Sequence, residues 1–481
     1  MSKEIGITAK KVDDFSEWYT QVVTKAELAD YSPMKGFMVL RPYGYSIWEN
    51  VKEHLDRRLK ETGHSNAYFP LLIPESYLKK EATHFKGFTP EVFWVTHSGE
   101  NKLSERLAVR PTSETIVNDA YSKWVRSWRD LPLLINLWNS VVRSEITTTR
   151  PFIRTSEFLW QEGHTVHATK EDADKEVMMI LEFYRQITED EMAVPVLLGY
   201  KSEREKFVGA LYTTTLEAMM PDGKAIQMGT SHNLGQNFSK PFEIKYLGKD
   251  EQMHYAWTAS WGVSWRLISA MIMLHADDKG LVIPPQIAPI QVVLIPIYFK
   301  ASQSEATTEK TRTIAGTLKK AGLQVHADFR DQYTPGWKFN EWELKGVPLR
   351  IEVGPRDVEN KQAVLVRRDN AQKLVVKDID FLNEVKRCLE EIQRNLFTKA
   401  KQALDGSISQ TSNYDEFKKI LEGRGGFIRA CWCESSECEE AIKNDTGATI
   451  RTLPLKDENL FSGCIRCGKP AAKVAYFARS Y

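Results

Sequence analysis

Long apolar runs are missing from this 481-residue chain. The most apolar short stretch, Ile290 to Phe299, is too short to span a bilayer and is broken by Pro296. No membrane insertion is expected. The start, MSKEIGITAKK, is charged and lacks the apolar centre of a secretory signal, so the expected compartment is the cytoplasm. Net charge is nearly missing too: Lys and Arg number 65 against 64 Asp and Glu, a formal balance of +1. Overall charge therefore points to no polyanion, although a local basic face on a neutral chain can still serve one. Internal repeats and low-complexity tracts are absent. Cysteine is scarce until the end, where Cys431, Cys433, Cys438, Cys464 and Cys467 crowd together after a lone Cys388. In a reducing compartment such a cluster reads as metal ligation rather than as disulfides.

What is present fits a folded soluble protein, with 42% hydrophobic and 27% charged residues. The length is too great for one ordinary core, so two to four domains are expected. Three segments suggest themselves: 1–285, 286–400 and 401–481. The prolines of GLVIPPQIAPIQ (Gly280–Gln291) mark the first boundary as a linker. The polar DGSISQTSN (Asp405–Asn413) marks the second. In the first segment Ile47, Val51, Leu55 and Leu59 form a helical stripe. NAYFPLLIP predicts a strand carrying Pro70, and TSETIVNDAYSKWVRSWRDL a helix starting at a Ser/Thr cap. A hairpin is expected over Val141–Thr165, with a mobile Thr-rich loop. WTASWGVSWRLISAMIMLHADDKG reads as a small-residue strand running into an apolar helix. The second segment reads strand, helix, strand, then the strands PLRIEVG and KQAVLVRRD. A long amphipathic helix follows, with Phe381, Leu382, Val385, Leu389, Ile392 and Leu396 on one face.

The cysteines are spaced C-x4-C (Cys433, Cys438) and C-x2-C (Cys464, Cys467). Four thiolates suit tetrahedral Zn²⁺, and Gly463 and Gly468 permit the tight turn. Cys431, two residues from Cys433, is an alternative ligand. A site closed by four cysteines has no open coordination position, so its zinc would be structural. Cys388 reads as a buried thiol in the long helix.

The chemistry gathers in the first segment. Arg143 and Glu145 would share one face of a strand. They form either a structural ion pair or the start of an anion site, since a buried Arg wants an anion. Arg154, Phe158, Trp160, Glu162 and His164 share one parity. One sheet face would thus carry a cation, an aromatic wall, an acid and an imidazole, which suits a ligand with phosphates and a planar base. In WTASWGVSWR, the small Thr258, Ala259, Ser260 and Gly262 admit close approach, and Arg266 sits at the strand-to-helix transition. Glu114 in RPTSET is either a helix N-terminal acid or a carboxylate aimed at a substrate amine. Gln227, Thr230 and His232 cluster in QMGTSHNLG, which reads as a glycine-punctuated turn.

Taken in this order, the motifs resemble those of a class II aminoacyl-tRNA synthetase. Pro70 in NAYFPLLIP resembles motif 1; Arg143-Ser-Glu145, TTTRPFIR and Phe158 resemble motif 2; SWGVSWR ending in Arg266 resembles motif 3. RPTSET, FLWQEGHT, MGTSHNLGQNF and TASWG together are similar to the prolyl-tRNA synthetase family of the archaeal and eukaryotic type. Too few residues separate Thr165 from Trp257 for the editing insert of the larger type.

The resemblance implies an α/β multidomain protein. Its parts would be an antiparallel-sheet catalytic domain with helices (1–285), an α/β anticodon-binding domain (286–400) and a small α+β zinc-bearing C-terminal domain (401–481). It implies ATP-dependent attachment of L-proline to tRNA(Pro) through prolyl-adenylate, with Mg²⁺. Arg143, Glu145 and Arg266 would be catalytic. Arg143, Glu145, Arg154, Thr155, Gln227, Thr230 and Arg266 would hold ATP. Thr112, Glu114, Arg143, Trp160, Glu162, His232, Thr258 and Ser260 would hold proline. Cys433, Cys438, Cys464 and Cys467 would hold zinc. Motif 1 implies a homodimer, and the family's C-terminal tyrosine implies an ordered Tyr481. Lys338, Glu343, Lys345, Arg350, Arg367 and Arg368 are anticodon-contact candidates by residue type. The alternatives are a class II synthetase for another small amino acid, such as threonine, and a synthetase-like paralogue without charging activity.

Overall fold

The computed structural model describes residues 6–84, 92–144, 148–298 and 301–481. Its frame is one eleven-stranded sheet. The strands are β1 (Ser65–Asn66), β2 (Leu133–Val142), β3 (Glu157–His167), β4 (Leu197–Tyr200), β5 (Tyr212–Met219), β6 (Ala225–Gly235) and β7 (Trp257–Ser264), joined by four from the end of the chain. A separate five-stranded sheet holds β8 (Val292–Pro296), β9 (Val325–Ala327), β10 (Leu349–Val353), β11 (Gln362–Arg367) and β12 (Lys373–Lys377). The late strands of the large sheet are β13 (Ile408–Gln410), β14 (Phe427–Trp432), β15 (Thr449–Pro454) and β16 (Lys473–Ala478). The large sheet runs β13-β14-β16-β15-β4-β5-β6-β7-β3-β2-β1.

Alternation along the central antiparallel strands sorts side chains between two faces. Leu216, Met228, Trp261 and Val263 join a core with Ile180, Leu181 and Tyr184 of helix α4 (Lys170–Gln186). Thr169 caps α4 by accepting from the Asp172 N–H, and Glu171 and Asp172 favour its first turn. The same core takes Ile47, Val51, Leu55 and Leu59 from α2 (Pro42–Glu61), the stripe expected from the sequence. Helices α1 (Phe15–Lys25) and α5 (Arg266–His275) complete it. On the opposite face the register aligns short polar residues in rows. Ser260 pairs with His164 and with His232, which pairs with Thr213; Gly262 pairs with Glu162 and with Thr230, which pairs with Thr215.

The five-stranded sheet is parallel between β9, β8 and β10 and antiparallel beyond. It packs α6 (Ala301–Lys320) and α8 (Phe381–Ser407) through Val292, Leu294, Leu349, Ile351, Val385, Leu389 and Ile392. At the other end, β15 pairs with β4 through Leu453↔Tyr200 and Pro454↔Gly199. Gly199 leaves no room for a side chain there, since a Cβ would lie 2.1 Å from the Leu453 carbonyl oxygen.

Several expectations need correction. NAYFPLLIP is not one strand: β1 ends at Asn66 and the next strand starts at Leu72, because Pro70 cannot donate to a ladder. The helix α3 (Glu114–Trp124) stops at Trp124, and Trp128–Asp130 is a separate 3-10 turn. Helix α8 continues to Ser407 and β13 follows directly, so the polar stretch Asp405–Asn413 is largely structured. The proline-rich stretch Gly280–Gln291, read as a linker, is packed. Leu281, Ile283 and Ile287 are fully buried in the first core, each worth about 1.5–3 kcal/mol of apolar transfer. The helix Pro335–Leu344 (α7) and β12 were not anticipated.

Candidate active site

The polar face of the sheet floors a cavity of about 610 Å³. At one end lies an acidic group. Glu162 projects from β3 and is buried. Its Oε1 accepts from the Asn139 amide at 2.9 Å and from the Ser113 hydroxyl, and its Oε2 from the Ser113 N–H at 3.2 Å. The expected Ser/Thr cap of α3 falls on Ser113, but its hydroxyl and N–H serve Glu162 rather than the helix. His164 Nε2 stands 3.0 Å from Glu162 Oε2. Burial alone would raise the Glu162 carboxyl. The hydrogen bond and charge of His164, with Asn139 and Ser113, outweigh it and hold the group below its ordinary range. Burial likewise pulls His164 down, but Glu162 and the nearby Glu114 outweigh it and raise the imidazole. Glu114, His164 and Glu162 lie close enough to share a metal, but both Glu162 oxygens are already taken. The group reads as an ion pair. Glu114 sits buried in the first turn of α3 and accepts from the Thr112 hydroxyl.

His232 forms the neighbouring wall. Its Nδ1 meets the Thr213 hydroxyl at 2.8 Å and its Nε2 the Thr230 hydroxyl at 3.1 Å, with the Phe207 ring 4.8 Å away. Burial, with His164 nearby, drives its pKa to about 3, so it is neutral. The Ser260 hydroxyl is buried with no partner among the described residues and borders the cavity. An orphaned hydroxyl of this kind is costly without a ligand. Trp160 is fixed by its Nε1 donating to Asn139 Oδ1 at 2.7 Å and stands edge-on to Phe158.

The rest of the cavity is cationic. Arg143 lies just beyond the end of β2, donates to the Pro111 carbonyl at 3.2 Å and packs 5.2 Å from Phe158 and 5.7 Å from Trp160. Arg266 opens α5. Burial, with Arg143 close by, lowers its pKa to about 10, still charged at neutral pH. Arg154 and Thr155 line a small adjoining recess together with Arg143 and Arg266. Among the described residues, none of these three arginines forms an ion pair. Converging unpaired guanidinium groups suit a polyanion. The described part of the loop carrying Arg154 is tied at three points: Ser156 N–H donates to Gly36, Gly36 N–H to Thr149, and Tyr19 to Pro151.

Of the sequence-derived candidates, Thr112, Glu114, Arg143, Trp160, Glu162, Gln227, Thr230, His232, Ser260 and Arg266 share the main cavity. Glu145 lies outside the described residues. Thr258 does not reach the cavity; it is buried and its hydroxyl faces the Gly235 carbonyl. Arg154 precedes β3 and is exposed, so parity with Phe158 is not what aims it. Gln227, Thr230 and His232 stand on β6, not in a turn. Lys201, Glu205, Phe207 and Thr213 also line the cavity, and Asn139 and Ser113 support it. Nothing in GYKSEREKF separates Lys201 from a solvated charge run, so no sequence signal was there to find.

In the second sheet's module, the charged candidates are engaged within the chain. Arg368 grips Asp277 at 2.6 and 2.8 Å, Arg367 pairs with Asp369 and Glu391, and Arg350 with Glu352. Lys345 pairs with Glu27 and Glu341, Glu343 with Lys279, and buried Lys338 with Asp328.

In the C-terminal module the thiols of Cys433, Cys438, Cys464 and Cys467 all lie within 4.8 Å of one another. The Cys433 and Cys467 sulfurs are 3.8 Å apart. A tetrahedron with Zn–S bonds of about 2.3 Å has edges of about 3.8 Å, so the donor set fits zinc. Cys431 is not in this group: it is buried, with the Phe461 N–H 3.4 Å from its sulfur.

Comparison with known proteins agrees along the whole length. Family models match in three places: "tRNA synthetase class II core domain (G, H, P, S and T)" over residues 93–275, "Anticodon binding domain" over 291–387, and "Prolyl-tRNA synthetase, C-terminal" over 414–481. A proline–tRNA ligase of Cenarchaeum symbiosum is 56% identical, covering 99% of this chain and 100% of its own. One from Alkaliphilus oremlandii is 54% identical, covering 99% and 98%. The crystal structure of prolyl-tRNA synthetase from Cryptosporidium parvum, complexed with halofuginone and AMPPNP, superposes with a TM-score of 0.95 at 44% identity, covering 99% of this chain and 100% of that one.

Proposed function

Because the chain belongs to the prolyl-tRNA synthetases, of class II, we propose that the sheet-floor cavity activates L-proline with ATP and passes it to tRNA(Pro). The observation that carries this is the pairing of an acidic group (Glu114, Glu162) with unpaired guanidinium groups (Arg143, Arg154, Arg266) around one cavity. Proline offers a secondary ammonium with two N–H donors, and ATP a polyphosphate. In the first step a proline carboxylate oxygen attacks the α-phosphorus, the bond to the bridging oxygen breaks, and pyrophosphate leaves. In the second, the terminal ribose hydroxyl of tRNA attacks the prolyl carbonyl and AMP leaves.

Such chemistry asks for positioning and charge neutralisation. Glu114 and Thr112 take the ammonium; Glu162, Trp160, His232 and Ser260 close around the ring. Neutral His232 adds no charge repelling the ammonium. Arg143 takes the α-phosphate and the carboxylate, while Arg266 and Arg154 take the outer phosphates. Thr155, Gln227 and Thr230 border the nucleotide, as Glu145 does by resemblance. Mg²⁺, when bound with ATP, neutralises phosphate charge.

The chain divides by function at 1–285, 286–400 and 401–481, as catalytic, anticodon-binding and zinc-bearing parts. Cys433, Cys438, Cys464 and Cys467 hold a structural zinc that takes no part in the reaction. The archaeal and eukaryotic subtype, a homodimer built through motif 1 and a cytoplasmic location complete the reading. Proline-dependent ATP–pyrophosphate exchange, followed by charging of a proline tRNA transcript, tests it. Exchange with threonine and none with proline would overturn it.

A further inference from the structure

A cluster of buried charge outside the assigned residues lies where the C-terminal module joins the sheet. Glu217 on β5 is fully buried. Its Oε1 accepts from Lys201 Nζ at 2.6 Å, from the Thr215 hydroxyl at 3.1 Å and from Arg451 at 3.1 Å. Its Oε2 accepts twice from Arg451, at 3.0 and 2.8 Å. Lys201 follows β4 in the catalytic part; Arg451 comes from β15 of the C-terminal module. Lys201 Nζ also donates to the Arg451 carbonyl at 3.1 Å. Both cations are nearly inaccessible to solvent.

Two buried cations share the one fully buried carboxylate of this cluster, and the further carboxylate acting on Lys201 is the part-exposed Glu205 on the cavity wall. A one-to-one pair would suffice for packing, and a surplus buried charge is costly unless an anion meets it. The surplus is not remote from the chemistry. Lys201 lines the main cavity. Glu217 stands in register with Gln227, at the point where a bulge shifts the β5–β6 pairing. Arg266, in turn, lies within electrostatic reach of both Glu217 and Arg451.

We propose that Arg451 is a positioning residue of the active site. By occupying Glu217 it keeps the Lys201 ammonium on the cavity wall with charge left for the anionic nucleotide, so the C-terminal module completes the ATP site. Without Arg451, Lys201 and Glu217, already in contact at 2.6 Å, would be matched one to one. The proposal rests on the reading that the cavity takes ATP.

The test uses the full-length, zinc-loaded enzyme and the variants Arg451→Met, Arg451→Lys and Lys201→Met. ATP–pyrophosphate exchange is measured with ATP and proline varied separately, beside thermal unfolding. Arg451→Met is expected to raise the KM for ATP about tenfold while the KM for proline stays within about twofold. Arg451→Lys recovers most of the loss. Lys201→Met reproduces the ATP defect, and the double variant adds little to either single one. An unchanged KM for ATP in folded Arg451→Met overturns the proposal, as do parallel rises for ATP and proline that Arg451→Lys does not relieve. Should Arg451→Met not fold, Lys201→Met, which keeps the Arg451–Glu217 pair, decides by the same criterion. Wild-type enzyme without proline-dependent exchange would overturn the functional reading itself; active wild type with unaffected variants overturns only this coupling.

Discussion

Glu162 and His164 stand two residues apart on β3, both buried, with His164 Nε2 at 3.0 Å from Glu162 Oε2. The pair holds a carboxylate ionised at the acidic end of the cavity. His164 is raised and Glu162 lowered relative to their ordinary values, with burial opposing both shifts. A raised histidine stabilises fully below its unfolded pKa, about 6.5, and that contribution is lost as pH rises through the folded value. A lowered carboxyl stabilises above its unfolded pKa and loses that contribution as pH falls through the folded value.

His164→Gln keeps a hydrogen-bond donor and removes the charge. The variant is expected to be less stable by ~1–3 kcal/mol near pH 6, the cost of weakening a buried charged contact. The gap should narrow toward pH 9. Denaturant unfolding across this range measures it, and a gap that widens with pH contradicts the assignment.

The four-cysteine group predicts about one zinc per chain by elemental analysis. Chelation should destabilise the C-terminal module, since a structural zinc contributes folding free energy. Because β15 is paired to β4, the loss should spread into the catalytic sheet and lower exchange activity. Cys464→Ser should lose the metal and Cys431→Ala keep it. The reverse result would place Cys431 in the site.

Tyr481 ends the chain inside the structure. Its N–H donates to the Ala225 carbonyl at 3.2 Å, at the start of the strand that carries Gln227 and His232. Arg150 and Lys224 lie 5.5 and 5.2 Å from its ring. Arg150 belongs to the loop that presents Arg154. Deleting Tyr481 should lower proline activation roughly tenfold, about 1.4 kcal/mol of transition-state free energy, with a smaller effect on the thermal midpoint. Unchanged activation would leave the tail a packing element alone.

Helices such as α2 and α8 were legible because their apolar stripes report directly on burial. The residues on β3 and β7 were legible because period-two alternation sorts Glu162 from Gln161 and Ser260 from Trp261. Parity carries no information for Arg143 and Arg154, which lie outside the strands, although Arg143 lines the cavity and Arg154 its adjoining recess. Thr258, a candidate by resemblance, is buried with its hydroxyl toward the Gly235 carbonyl. Lys201, Glu217 and Arg451 were out of reach: they meet only because two modules share one sheet, and no local pattern encodes a contact between positions so far apart. The proline-rich Gly280–Gln291 lies between the core-domain and anticodon-domain matches, but its prolines gave no sign that Leu281, Ile283 and Ile287 fill a core.

The proposed role of the guanidinium groups of this cavity, unpaired among the described residues, is to hold phosphate. Proline-dependent ATP–pyrophosphate exchange by Arg143→Ala, beside its thermal unfolding, tests that claim most directly. Among the described residues the Arg143 side chain makes one carbonyl contact and two ring contacts, so its loss should cost stability little, within about 1 kcal/mol. Exchange should fall by about 10²–10³, as for removal of a group aimed at developing charge. A variant that unfolds readily yet exchanges at near wild-type rate while folded would make Arg143 a structural residue and contradict the account.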